Sequence, residues 1–118
     1  MRGLAILGDL LFQSKLEAAA AHAGVELHIT RDPLAALHRE WEIVIIDLES
    51  TYADRDSVTL IRALRAQLPT VPIIGYCSHI EVELQAKARV AGCSQVLSRA
   101  EFVRQLPALI HVMNTEKS

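Results

Sequence analysis

The stretch Ile43-Val44-Ile45-Ile46-Asp47 decides how the chain is read. A strand with one wet face alternates polar and apolar residues, whereas a strand covered on both faces does not. Residues 43–46 show no alternation, so they predict a strand in the middle of a sheet, with Asp47 closing it. Upstream, residues 3–7 (Gly-Leu-Ala-Ile-Leu) read as a first strand, and a helix follows over Leu10–Ala23. Phe12, Leu16, Ala19, Ala20 and Ala23 share one face of it at helical spacing. Gly24 suits the position just past its end. Val25–Ile29 reads as a second strand. Asp32 then caps a short helix with Pro33 at its first position, where the missing N–H costs nothing, and Leu34 and Leu37 are its buried contacts.

Downstream the pattern repeats. A helix is expected over Asp56–Leu68 with Val58, Ile61, Leu64 and Leu68 as its apolar stripe. Val71–Tyr76 is the fourth strand, in which Gly75 relieves packing. The next helix covers Ile80–Ala91, with Ile80, Leu84, Ala88 and Ala91 inward and Gly92 stopping it. A short fifth strand spans Gln95–Leu97. Ser98 and Glu101 have the spacing of a capping box. The last helix runs to about Met113, and Pro107 should kink or restart it. Short apolar runs thus alternate with helix-period segments five times, with no linker, repeat or low-complexity segment. The pattern predicts one α/β domain over residues 1–118, a three-layer (βα)5 arrangement around a five-stranded parallel sheet. The flavodoxin-like strand order 2-1-3-4-5 is the default for such a chain.

Composition narrows the class. The chain has 118 residues, 51% apolar and 22% charged, enough for a core without metal or disulfide staples. The net charge of −2 and the lack of a basic stripe argue against a nucleic-acid partner. The apolar runs are far shorter than the roughly 20 residues a membrane span requires. Met1-Arg2-Gly3-Leu4 leads straight into a strand-like segment, so a cytoplasmic location is expected. Cys77 and Cys93 form no CxxC pair and are expected to be reduced thiols.

In open sheets of this kind the functional crevice lies at the carboxyl ends of the strands. The residues there are Gly8 and Asp9, Thr30 and Arg31, Asp47 and Leu48, Cys77 and Ser78, and Ser98 and Arg99. In the expected order the first and third strands adjoin, so Asp9 and Asp47 should converge. Two carboxylates there suit Mg²⁺ or a shared raised pKa; helix caps and solvated loop ends use the same residues. Cys77-Ser78-His79 suggests a nucleophile, but adjacent residues leaving a strand diverge, so a strand-end thiol is expected. His22, His28, His38 and His111 show no ligand spacing.

Four stretches carry a resemblance: Leu7-Gly8-Asp9, Ile43 through Leu48, Pro72 through Ser78, and Ala91 through Arg99. Together they resemble the receiver domain of two-component response regulators along nearly the whole chain. The resemblance implies that Asp47 stands at the phosphoacceptor position and Asp9 at the second member of a Mg²⁺-binding acidic pair. It puts Gly8 in place of the first acid, Cys77 at the threonine or serine switch position, and Arg99 at the lysine position. Three of these five positions are altered. Losing a carboxylate weakens Mg²⁺ binding. A thiol is a poor donor to a phosphoryl oxygen. A guanidinium fork differs from an ammonium in reach. A degenerate, stand-alone receiver follows as the leading expectation: a signalling module with no catalysis of its own that binds protein partners, a homodimer included. The face expected to do so carries Val90, Val96, Phe102, Leu106, Leu109, Ile110 and Met113, some of them necessarily core. The alternatives are a phosphorylatable domain using Asp47 with Mg²⁺, and a small-molecule binder in the same crevice. The acidic, apolar loop Gly8-Asp9-Leu10-Leu11-Phe12 is unwelcoming to a flavin phosphate.

Overall fold

A computed structural model describes residues 2–32, 39–50, 52, 55–78 and 81–117, with the side chains of 110–117 excepted. Its elements are β1 (Arg2–Ile6), α1 (Leu10–His22), β2 (Glu26–Thr30), β3 (Ile43–Asp47), α2 (Ser57–Gln67), β4 (Ile73–Cys77), α3 (Val82–Ala91), β5 (Gln95–Ser98) and α4 (Arg99–Lys117). The five strands form one sheet in the order β2-β1-β3-β4-β5, and every pairing is parallel. Asp47 stands opposite Tyr76, and Cys77 opposite Ser98, so the strand tips are level. β3 is buried at all five positions, as its unbroken apolar run requires.

Successive strand residues point to opposite faces, which divides the core in two. Leu4, Ile6, Val44, Ile46 and Ile73 pack with Leu60, Ile61 and Leu64 of α2 and Ala88 of α3. Ala5, Ile43, Ile45, Ile74 and Tyr76 pack with Phe12, Leu16 and Ala20 of α1 and Phe102 and Leu106 of α4. Helices thus cover both faces of the sheet. Burying a side chain the size of leucine or phenylalanine contributes about 1.5–3 kcal/mol, so α1 is held chiefly by Phe12 and Leu16.

Local chemistry fixes the boundaries. Asp9 caps α1 by accepting from the N–H groups of Leu11 and Phe12. Asp56 caps α2 by accepting from Thr59 N–H at 2.7 Å. Gly92 ends α3 at φ 136°, a conformation L side chains avoid. Gly75 lies against Leu48: a Cβ there would stand 2.8 Å from its Cδ2.

The structure differs from the expected pattern at several points. The inward stripe of α2 includes Leu60, while Val58 and Leu68 only flank the core. The capping box is half formed: Ser98 accepts from Glu101 N–H, but the Glu101 carboxylate turns to Arg104 and Gln105. α4 runs through Pro107 without restarting. Pro107 itself is exposed. Val96, Phe102 and Leu106, expected on an interaction face, are core, whereas Val90 is 85% exposed. The expected helix at Pro33, with Leu34 and Leu37, the residues His38, His79 and Ile80, and the side chains of Ile110, His111 and Met113 lie outside the described residues.

Candidate functional site

The carboxyl ends of β1, β3 and β5 bring Asp9, Asp47 and Arg99 together. Arg99 is the first residue of α4, immediately after β5. Its Nη1 lies 3.1 Å from Asp9 Oδ2 and its Nη2 lies 3.9 Å from Asp47 Oδ2. The guanidinium carbon also stands 5.0 Å from the centre of the Phe12 ring and 5.8 Å from that of Tyr76. Aromatic faces attract cations, so the arginine is held by two carboxylates and two rings.

The two acids are placed differently. The Asp47 side chain is only 3% exposed, whereas that of Asp9 is 34% exposed. A buried carboxylate needs its lone pairs satisfied. Asp47 Oδ1 accepts from Glu49 N–H at 2.9 Å and Oδ2 from the Ser50 hydroxyl at 2.8 Å. Asp9 spends Oδ1 as the α1 cap, at 3.0 Å from Leu11 N and 3.2 Å from Phe12 N. The Phe12 N–H holds the Asp9 carboxyl below its ordinary value; desolvation opposes this, and the Arg99 charge adds to it.

Four further features complete the crevice, and the sequence reading assigned none of them a role. The Tyr52 hydroxyl lies 2.9 Å from the Ile6 carbonyl and 2.8 Å from the Asp47 carbonyl, joining the ends of β1 and β3. Burial, then the Asp47 charge, push that phenol far above its usual range. Arg31 reaches across from β2 to donate from Nη2 to the Gly8 carbonyl at 2.9 Å. A Cβ on Gly8 would stand 3.3 Å from Arg31 Nε, so the space an acid at position 8 would use is under that guanidinium. The Glu49 carboxylate accepts from the Ser78 N–H, and from the Ser78 hydroxyl at 2.9 Å. Tyr76 stacks against Phe102, ring centres 5.6 Å apart, and its buried hydroxyl has no partner among the described residues. The Ser50 and Tyr52 roles had a local signal, since both follow Asp47 within five residues. The reach of Arg31 to the chain just past β1 had none. Gly8, Asp9, Arg31, Asp47, Glu49, Ser50, Tyr52 and Arg99 line an open cavity of about 730 Å³.

Cys77 closes β4 and is fully buried. Its sulfur lies 3.8 Å from Gln85 Nε2 of α3. It is therefore a packed strand-end thiol at the lip of the crevice. Cys93 is also buried, and burial pushes its thiol up to about 11. Neither cysteine is in a disulfide.

With this geometry in hand, the solved structures give a consistent answer. The chain matches the beryllofluoride-activated NtrC4 receiver domain dimer with a TM-score of 0.81 at 20% identity, covering 99% of this chain and 98% of that one. The chain has the receiver fold. It matches the receiver domain of Francisella response regulator 1452 with a TM-score of 0.80 at 16% identity, covering 99% and 98% of the two chains. The receiver domain of the sensor histidine kinase PA1611 from Pseudomonas aeruginosa gives 0.73 at 21% identity, over 93% and 97%, and that structure holds a magnesium ion in its active-site cleft. No protein-family model matches the sequence, and no curated protein does either.

The acids of this receiver fold face an arginine. Asp9 has one oxygen on two backbone N–H groups and the other on Arg99. Both oxygens of Asp47 accept hydrogen bonds. Among the described residues no group of three His, Cys, Asp or Glu side chains is arranged to take a metal. A cation entering between Asp9 and Asp47 would meet the Arg99 guanidinium, whose single positive charge offsets one of their two negative charges. No described helix is long and apolar enough to cross a membrane.

Proposed function

We propose that this chain is a receiver-type signalling module that acts by binding protein partners, without Mg²⁺-dependent phosphoryl transfer at Asp47. The observation carrying this reading is Arg99, paired with both Asp9 and Asp47. Phosphoryl transfer to a carboxylate is mostly positioning and charge stabilisation. Three devices serve it in the family the sequence resembles: two acids for the metal, a hydroxyl at the end of β4, and a lysine after β5. Here Gly8 replaces one acid, Cys77 the hydroxyl, and Arg99 is engaged by carboxylates and rings. The module has no catalysis of its own.

Binding surfaces are at hand. Leu10 and Leu11 are 71% and 83% exposed in the first turn of α1, beside the crevice, and Val82 and Val90 are exposed on α3. Of the residues expected on the face of α3, β5 and α4, Val90 alone is strongly exposed among those described, so Val90 is the anchor this reading assigns to that face. A second copy is a partner the reading admits, since one solved receiver of the same fold is a dimer.

One specific observation favours a second reading, in which the domain accepts a phosphoryl group. Asp47 stands at the tip of β3 and borders the open cavity. Incubation with acetyl phosphate and Mg²⁺ followed by intact-mass spectrometry separates the two. The proposal expects no adduct. An adduct present in the native chain and lost in Asp47→Asn establishes the second reading.

A further inference from the structure

The bridge between Glu49 and Ser78 is not used by the reading above. Glu49 lies on the loop after β3, two residues past Asp47, and Ser78 is the residue after β4. Ser78 offers two donors on one side, its backbone N–H and its hydroxyl. The Glu49 carboxylate meets both, one oxygen to each. A paired N–H and O–H is a small anion cradle, and hydrogen bonds to a charged acceptor are roughly twice as strong as neutral ones. The anion that fills this cradle comes from the chain itself.

The bridge leads on to an element outside the crevice. Ser78 follows Cys77, and the buried Cys77 sulfur takes a contact from Gln85 on α3. On the other side, the Glu49 N–H is a donor to Asp47. One residue thus holds Asp47 through its backbone and the end of β4 through its side chain.

We propose that Glu49 is a tethered anion that latches the end of β4 to the crevice loop, holding β4 and the α3 side of the domain in one arrangement with no modification of Asp47. This rests on the reading of the domain as a module that works without phosphorylation, and it adds the device that keeps such a module in a single state. The latch is on exposed residues, so its strength is that of one charge-assisted pair in partial contact with water.

Cys77 reports directly on the latch because it is fully buried beside Ser78, and Cys93, buried in the α3–β5 turn, is an internal control. The experiment is alkylation of the native-state protein with iodoacetamide, with no phosphodonor present, read for each cysteine by peptide mass spectrometry. Glu49→Ala is expected to raise the Cys77 rate about fivefold relative to Cys93, the scale of one typical net hydrogen bond in contact with water. Glu49→Gln keeps the shape and loses the charge, and is expected to fall between Glu49→Ala and the native chain. A Cys77 rate unchanged in Glu49→Ala overturns the proposal. So does a rise shared equally by Cys93, which reports global loosening and no latch. An Asp47 adduct in the separate acetyl phosphate test would end the wider reading and leave this result to stand or fall alone.

Discussion

Arg65 and Arg99 stand at opposite edges of one sheet and are engaged by different kinds of acceptor. Arg65 lies in the last turn of α2, where the chain is about to enter β4. Its guanidinium donates to the carbonyls of Leu68, Pro69, Val71 and Gly92 and to the Ser94 hydroxyl, joining the α2–β4 and α3–β5 connections. All those acceptors are neutral and belong to fixed turns. Arg99 stands at the carboxyl edge and faces two carboxylates, one buried and one half-buried. An arginine on carbonyls is a fastener whose worth does not depend on pH or on a competing cation. An arginine on carboxylates is a charge balance, which both can disturb. The difference sets a pH-independent fastener at one edge against a pH-sensitive charge balance at the other.

The sharpest way to break it is Arg65→Ala. The substitution leaves several carbonyls short of a donor, and a loss of about 2–4 kcal/mol is expected. That should appear as a fall in melting temperature of about 10 °C or more. Arg65→Lys should recover only part, because an ammonium cannot fork to both turns at once. A melting temperature within about 2 °C of the native one would remove Arg65 as a fastener.

Arg99→Ala should cost less. A pair that is about one-third exposed is screened by water, and about 1 kcal/mol is expected in denaturant unfolding. A loss as large as that of Arg65→Ala would mean that Arg99 is mainly structural.

The smallest effect is a slope. The Asp9 carboxyl sits below its ordinary value in the folded chain. A group of that kind stabilises the fold at pH above its unfolded value of about 3.9, and the contribution disappears as pH falls through the lower folded value. Melting temperature measured from neutral pH downward should therefore drop more steeply in the native chain than in Asp9→Asn once the pH passes below about 4. Arg65→Ala should keep the native slope and shift the whole curve, since the groups its guanidinium holds are carbonyls and a hydroxyl. Equal slopes for the native chain and Asp9→Asn would contradict the assignment of Asp9 as an ionised cap.

Much of this was written in the sequence, and the parts that were not have physical causes. The unbroken run at residues 43–46 placed β3 in the middle, because only a doubly covered strand tolerates four apolar residues in succession. The strand order then brought Asp9, Asp47 and Arg99 to one crevice, as their positions after β1, β3 and β5 require. Pattern alone did not reveal what each side chain touches. Asp9 caps α1, one of the readings that spacing left open, and also pairs with Arg99, a contact that spacing did not offer; its carboxyl pKa is lowered and not raised. Phe102 and Leu106 looked equally fit for core or surface, since a helix stripe does not say which neighbour covers it. Arg31 and Arg65 act over 23 and 27 residues of separation, through contacts no local signal encodes. Pro107, which the sequence reads as a kink or restart, lies at an exposed position inside one continuous helix, so α4 does not restart there.

The account turns on whether Arg99 already occupies the place of a divalent cation. The most direct measurement is an amide-resolved NMR titration of the native chain with MgCl₂ to about 10 mM, at constant ionic strength. The account predicts no saturable shift at Gly8, Asp9, Asp47 or Glu49. Saturating shifts confined to those amides, abolished in Asp47→Asn, would contradict it.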